Sequence, residues 1–252
     1  MALLVGISGH KGSGKDTLAG FFVQATTGRH GPVSAGTTAS FAGPINEHLC
    51  DLGIPSKNLY GDSHLREEMV KMVVGRPDAG RLFCDRVACS LGIFGDEKRE
   101  RVVETYFDWW LEEISLAVKN DGFWSARRLL QTLGTEWGRS IDRGIWVKMA
   151  LNEVDETKDT FFTDCRFISE AEAIKARGGF VVRVVRPGLV STDPHQSEVE
   201  MDSEEFKKHV DFEIENSGQL HDLSDAAEHV LDVMRARRWR LEQIPPRLST
   251  DQ

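Results

Sequence analysis

A chain of 252 residues, 40% hydrophobic and 28% charged, suits one large α/β domain or one domain carrying an insertion. Its formal net charge of −9 argues against a non-specific grip on nucleic acid, which depends on neutralising phosphates. Cys50, Cys84, Cys89 and Cys165 form neither a CxxC pair nor a zinc spacing, and no apolar run is long enough to span a membrane. No basic segment precedes the first apolar run, so the expectation is reduced thiols in a cytoplasmic protein with no membrane partner.

That run, Ala2-Leu3-Leu4-Val5-Gly6-Ile7, predicts a strand over 2–8. Leu18, Phe21 and Phe22 predict the buried side of a helix over 15–26. Between them stands Gly9-His10-Lys11-Gly12-Ser13-Gly14-Lys15-Asp16-Thr17, a P-loop. Its glycines can take backbone angles closed to other residues, so that successive N–H groups turn inward as an anion-binding nest. The helix that follows adds free N–H groups and the positive end of its dipole, and Lys15 adds a mobile cation for the terminal phosphates. The loop therefore points to ATP or GTP. Asp16 stands where most such loops carry the magnesium-holding hydroxyl, which comes one residue later at Thr17. An acidic residue in the first helical turn also suits the dipole, and the two readings are compatible.

Farther along, Arg29-His30-Gly31-Pro32 reads as a loop, residues 36–42 as a second strand, and Gly43-Pro44 as the opening of a short helix. Residues 54–122 are dense in charge and read as a mainly helical insertion. Tyr106, Phe107, Trp109 and Trp110 there read as a helix-packing surface. Arg66, Arg76, Arg81, Arg86, Arg99 and Arg101 read mostly as solvated charge, with room for one or two to face a phosphate. Helices are expected over 125–138 and 144–156, then a short strand at Thr160-Phe161-Phe162-Thr163-Asp164. Ser169 and Glu172 fit a capping box for the next helix, which Gly178-Gly179 ends. The β-branched run 180–185 fits a strand covered on both faces. Residues 189–209 read as a mobile polar connection and Phe212-Glu213-Ile214 as a last strand. Leu223, Ala226, Ala227, Val230, Leu231 and Met234 follow a helical period. Arg235, Arg237, Arg238 and Arg240 close that helix and suit its C-terminal dipole, with a frayed tail beyond 240.

Strands alternating with helices give the fold class: α/β, a P-loop NTPase-type doubly wound parallel sheet flanked by helices, with a mainly helical insertion. One domain over 1–240 is expected, with the insertion at 54–122 as an acceptor-binding or lid region and a tail at 241–252.

Two further patterns carry chemistry. Gln131, Thr135 and Arg139 recur at four-residue spacing, which puts amide, hydroxyl and guanidinium groups on one helix face suited to a base edge and a phosphate. An ordinary polar face is the plainer account. Asp164-Cys165-Arg166 follows an apolar strand, where a carboxylate can orient magnesium and an arginine can hold an acceptor phosphate or the charge that develops in transfer. A surface Asp–Arg pair competes with that reading.

Taken together, the chain resembles the deoxynucleoside monophosphate kinases of tailed bacteriophages. The resemblance rests on 8–17, Phe41-Ala42-Gly43-Pro44-Ile45, 130–139, Ile145-Trp146-Val147-Lys148, Asp164-Cys165-Arg166 and 173–188 with its Val-Val-Arg-Pro-Gly ending. It continues through His195-Gln196-Ser197-Glu198 and Glu215-Asn216-Ser217-Gly218-Gln219-Leu220, in order from residue 3 to about 230 and weakest over 50–122. Such kinases often carry a small or acidic residue between the loop lysine and threonine, as Asp16 does here. The resemblance implies transfer of the γ-phosphoryl of ATP, with Mg²⁺, to a deoxynucleoside monophosphate. It implies that Gly12, Ser13, Gly14, Lys15, Asp16, Thr17 and Leu18 hold ATP, that Lys11 lies between donor and acceptor phosphates, and that Thr17 and Asp164 serve the metal. Ile45 and Asn46 occupy acceptor-contact positions, although Asn46 departs from the lysine of some members. Gln131, Thr135, Arg139, Trp146, Asp164 and Arg166 complete the acceptor set, with Lys11, Lys15 and Arg166 as the catalytic group. Nucleic acid is not an expected partner, and a homodimer is favoured by analogy alone.

The rivals are a P-loop kinase of another phosphorylated acceptor (phosphomevalonate or dephospho-coenzyme A), a non-catalytic nucleotide switch, and a kinase of polynucleotide ends. The first lacks the Leu130–Thr135 stretch with its downstream tryptophan. The second is disfavoured by the missing Asn-Lys-x-Asp motif, and the third by the acidic charge balance.

Overall fold

The computed structural model describes residues 2–28, 36–51, 53–60, 63–71, 77–93, 95, 97, 99–101, 103–104, 107–108, 112, 123–189 and 196–242. In chain order its strands are β1 (Leu4–Ser8), β2 (Thr37–Ala39), β3 (Met69–Lys71), β4 (Phe123–Ser125), β5 (Thr160–Phe162), β6 (Phe180–Val185) and β7 (Phe212–Glu215). The chain forms two compact units, Met1–Ala39 with Asp155–Gln252, and Ser40–Val154.

The first unit is built on a five-stranded sheet of order β2-β5-β1-β6-β7. Every pairing in it is parallel: β1 lies between β5 (Leu4 opposite Thr160) and β6 (Val5 opposite Phe180). Side chains alternate across the pleat. Val5 and Ile7 therefore face the helices Lys15–Gly28 and Leu220–Glu242, in a core with Leu18, Phe22, Phe161, Val182, Leu223, Ala227 and Met234. Phe22 and Phe161 stack with centroids 5.1 Å apart. On the opposite face Gly6 leaves room for Cys165 and Ile174, and a Cβ there would come within 3.1 Å of the Cys165 sulfur. Ile174 belongs to the helix Ile168–Ala176, so the sheet is covered on both faces, as a parallel sheet requires. The doubly wound α/β expectation holds.

Three local expectations give way. The helix after β5 begins at Ile168, not after Ser169, because Glu170 reaches back to accept from the N–H groups of Phe167 (3.0 Å) and Arg166 (2.8 Å). A carboxylate at that position satisfies two free donors at once, which a serine cap two residues later cannot. Within the expected connection 189–209, helices Gln196–Met201 and Glu204–Lys207 bury Met201 and Phe206; residues 190–195 lie outside the described residues. The last helix runs on to Glu242, so Arg235 lies inside it and pairs with Asp159 (3.1 Å), while the Arg237 guanidinium lies 4.7 Å from the centre of the Phe212 ring. These arginines have side-chain partners and do not merely complement a helix end.

The second unit contains helices Gly43–Asp51, Ser56–Tyr60, Ser63–Glu67 and Pro77–Ser90, and an antiparallel ribbon of β3 and β4. The ribbon was not expected: its strands are three residues each and lie apart in sequence, too short to show a period. The core of this unit joins Ile45, Leu49, Phe83, Val87, Leu129, Trp137, Trp146 and Met149. Phe83 stacks on His48 (3.9 Å), Trp137 (5.7 Å) and Trp146 (5.9 Å). Desolvation, and then the charge of Arg86, lower the His48 pKa to about 3. Arg99 grips Asp85 through two bonds (2.7 and 2.5 Å), Arg81 meets Glu100, and Arg101 meets Glu97. Those arginines are carboxylate-paired; Arg76, Tyr106, Trp109 and Trp110 lie outside the described residues.

The helix expected over 125–138 is divided. Ala126–Gln131 is α-helical, Thr132–Trp137 widens into a π-helical turn, and Gly138–Ile141 resumes the α-helix. Trp146 supplies the cause. Its indole N–H donates to the Gly134 carbonyl (2.7 Å), and its ring lies so close to Gly138 that any Cβ there would overlap it. A side chain inserted into the helical ladder opens the turn.

Candidate active site

The loop after β1 has the backbone its glycines foretold. Gly9, Gly12 and Gly14 have φ of 149°, 84° and 98°, angles disfavoured for residues with a Cβ. Gly9 is also pressed by its surroundings, since a Cβ would lie 2.7 Å from the Val184 carbonyl. The N–H of Ser13 donates to the His10 carbonyl (3.0 Å), closing the loop. Two later turns hold it from outside: Asn216 Nδ2 donates to the Ser13 carbonyl (2.8 Å) and Arg186 Nη1 to the Gly12 carbonyl (3.4 Å). Both carbonyls thereby have side-chain donors from elsewhere in the chain.

Lys11, Asp16 and Thr17 are exposed, and Leu18 is buried in the sheet core. Lys15 is half-buried with its ammonium 3.4 Å from the Asp16 carboxylate. With its carboxylate exposed, an adjacent pair of this length is worth little.

Asp164 and Arg166 follow β5, the neighbour of β1, and both are half-buried. Between them the Cys165 N–H donates to the Ile7 carbonyl (3.2 Å), which fixes this segment to the end of β1. Burial, then the charges of Glu170 and Asp164, push the Cys165 thiol well above its usual range. It is an inert neutral thiol and no nucleophile.

The structure adds residues that spacing did not single out. Glu198 is buried, and its two oxygens meet Arg166 Nη1 (3.1 Å) and His10 Nδ1 (2.7 Å). His10 Nε2 lies 3.1 Å from Asp202, whose other oxygen accepts from Arg183 Nη2 (2.6 Å). The result is a linked set of side chains, Arg166–Glu198–His10–Asp202–Arg183, with His10 of the phosphate loop at its middle. The only sequence signal for it was the motif at 195–198; His195 itself lies outside the described residues.

The remaining predicted residues belong to the second unit. Ile45 and Asn46 are buried on Gly43–Asp51, and the Asn46 Oδ1 has no partner among the described residues. Gly134 of the π-turn packs on Ile45, so the structure brings that helix to the turn bearing Thr135. Gln131 and Thr135 are exposed and Arg139 half-buried. Trp146 is only 5% exposed, with its N–H committed to Gly134. No cluster of three or more His, Cys, Asp or Glu side chains suited to a metal occurs among the described residues. Among them also, no helix is long and apolar enough to cross a membrane.

A loop with three positive-φ glycines, a lysine at the head of the following helix, and a central parallel strand beneath define a P-loop nucleotide-binding protein of the α/β class. The model of the deoxynucleotide monophosphate kinase family matches residues 84–226, more than half the chain. The chain belongs to that family, and it is an enzyme that phosphorylates deoxynucleoside monophosphates. It is 29% identical to the deoxynucleotide monophosphate kinase of Enterobacteria phage T4 over 255 residues, covering 92% of this chain and 99% of that one. With the enzyme of the same name from Escherichia phage RB69 the identity is 39% over 127 residues, 48% of this chain and 50% of that protein. The deoxynucleoside-5'-monophosphate kinase of Escherichia phage T5 is 28% identical over 184 residues, 69% of this chain and 72% of that one.

Proposed function

We propose that the donor of this kinase is ATP bound as its magnesium complex, and that the γ-phosphoryl passes to a deoxynucleoside monophosphate to give the diphosphate and ADP. The observation that carries this reading is the loop 9–17: positive φ at three glycines, carbonyls of Ser13 and Gly12 bonded by Asn216 and Arg186, and Lys15 at the head of the next helix.

The donor set fits Mg²⁺. Thr17 offers an exposed hydroxyl and Asp164 a half-buried carboxylate, and Mg²⁺ is held by one or two such groups together with substrate phosphates and water, not by a protein cage. Bound there, the ion neutralises charge on the phosphates during transfer. The residues do the rest by alignment and electrostatics. Backbone N–H groups of Gly12–Leu18 hold the donor phosphates, and Lys15 leaves Asp16 to follow the terminal one. Lys11 and Arg166 meet charge on the transferring group. No general base is needed, because the attacking oxygen of the acceptor is already ionised. Ile45, Asn46, Gln131, Thr135, Arg139 and Trp146 form the proposed acceptor set, with Trp146 acting through Gly134.

The test is ADP release measured with ATP, Mg²⁺ and each deoxynucleoside monophosphate in turn. Turnover that depends on one or a few of them and is abolished in Lys15→Ala is the expected result. Silence with all of them, in protein that binds ATP, overturns the reading.

A further inference from the structure

We propose that Glu198 is a positioning residue for phosphoryl transfer, holding the Arg166 guanidinium in fixed relation to the first turn of the phosphate loop. This rests on the reading of Arg166 as a group that meets the transferring or acceptor phosphate.

Burying a carboxylate costs free energy unless charge and hydrogen bonds compensate. Glu198 is 5% exposed, and its oxygens are divided between two segments far apart in sequence: Arg166 Nη1 at 3.1 Å and His10 Nδ1 at 2.7 Å. A residue needed only for packing at that place would be apolar. The His10 ring faces a second carboxylate, Asp202, from Nε2 (3.1 Å), so one ring of the phosphate loop links both acids. Arg183, 10% exposed in its side chain, anchors the far end through Asp202 Oδ1 (2.6 Å) and the Met201 carbonyl (3.0 Å).

The segment that carries Arg166 is held on its backbone as well. Glu200, two residues on from Glu198 in the same helix, accepts from the Ile168 N–H (2.8 Å). Glu170 accepts from the N–H groups of Arg166 and Phe167. With the main chain pinned at three donors, what remains free at Arg166 is its long side chain, and Glu198 removes that freedom. It engages one terminal nitrogen and, among the described residues, leaves the other for an anion. A guanidinium left to wander costs rate, since a misplacement of about 1 Å can cost about 100-fold.

The experiment is a double-mutant cycle on kcat with the full chain, using Glu198→Gln, Arg166→Ala and both together, with KM for ATP and for the accepted monophosphate. Glu198→Gln keeps shape and removes charge. We expect Glu198→Gln to lower kcat about 10–100-fold while both KM values stay within about 3-fold, as for a group that acts in the transition state. Arg166→Ala should lower kcat at least as far, and the double variant should be no worse than Arg166→Ala alone, because the two act as one unit. A purely structural Glu198 would lower the melting temperature and leave kcat per folded molecule intact, and that result overturns the proposal. So do losses that multiply in the double variant. If Arg166→Ala itself keeps full kcat, the reading of Arg166 falls, and the proposal falls with it. Should Glu198→Gln not fold, Glu198→Asp, which keeps the charge but shortens its reach, takes its place in the same cycle with the same outcomes.

Discussion

Asn216 Nδ2 donates to the Ser13 carbonyl at 2.8 Å, across 203 residues of sequence. The bond occupies an acceptor of the glycine loop. The asparagine also lies so close to Gly14 that no Cβ fits between them. Asn216→Ala should free the carbonyl to turn inward and loosen the nest. One hydrogen bond is worth about 1 kcal/mol, which sets the expected rise in KM for ATP at about 3–10-fold with kcat changed less. Steady-state titration of ATP at saturating acceptor reads it.

Trp146 carries the second prediction. In Trp146→Phe the ring stays but the N–H is lost, and the buried Gly134 carbonyl is left without its donor. Urea unfolding should show a loss of about 1–3 kcal/mol. Because the π-turn exists to accommodate that bond, the same variant should also raise KM for the monophosphate, if the turn serves the acceptor.

His48 gives a pH dependence with a definite sign. Its folded pKa of about 3 lies below the ordinary imidazole value of 6.5, so the neutral ring is favoured in the native state. Between those values the unfolded chain binds the extra proton, and stability falls as pH falls; above 6.5 the contribution is fully present. The slope is at most about 1.4 kcal/mol per pH unit in that window. His48→Phe, which keeps a ring on Phe83, should lose about 1–2 kcal/mol less than the wild type between pH 7 and pH 5. Denaturant midpoints of both proteins at the two pH values decide it.

What could be read from the sequence was what is local. The loop 9–17 depends on glycines, a lysine and the strand just before them, and each angle the glycines promised is present. The parallel sheet followed from apolar runs such as 180–185 alternating with helical periods. The π-turn was hidden because its cause, Trp146, acts from a neighbouring helix. Four-residue spacing through Gln131, Thr135 and Arg139 carries no sign of it. Glu198 was hidden for a like reason: its partners are His10 and Arg166, and no spacing rule connects the three. The start of the helix at Ile168 was misplaced since Ser169 and Glu170 both offer caps, and only the folded chain shows which carboxylate reaches the backbone.

The strand that bears the phosphate loop is made long before the strands that complete it. β1 has no neighbour in sequence to pair with: both its edges await β5 and β6, with Leu4 opposite Thr160 and Val5 opposite Phe180. Parallel partners this remote are slow to find, since long loops must close before any pairing rewards them. During synthesis the second unit, Ser40–Val154, emerges whole while β1 is still bare on both sides. A ribosome must therefore pass residue 185 before the loop at 9–17 has a sheet to stand on, so this loop is completed by strands that begin only at Thr160 and Phe180.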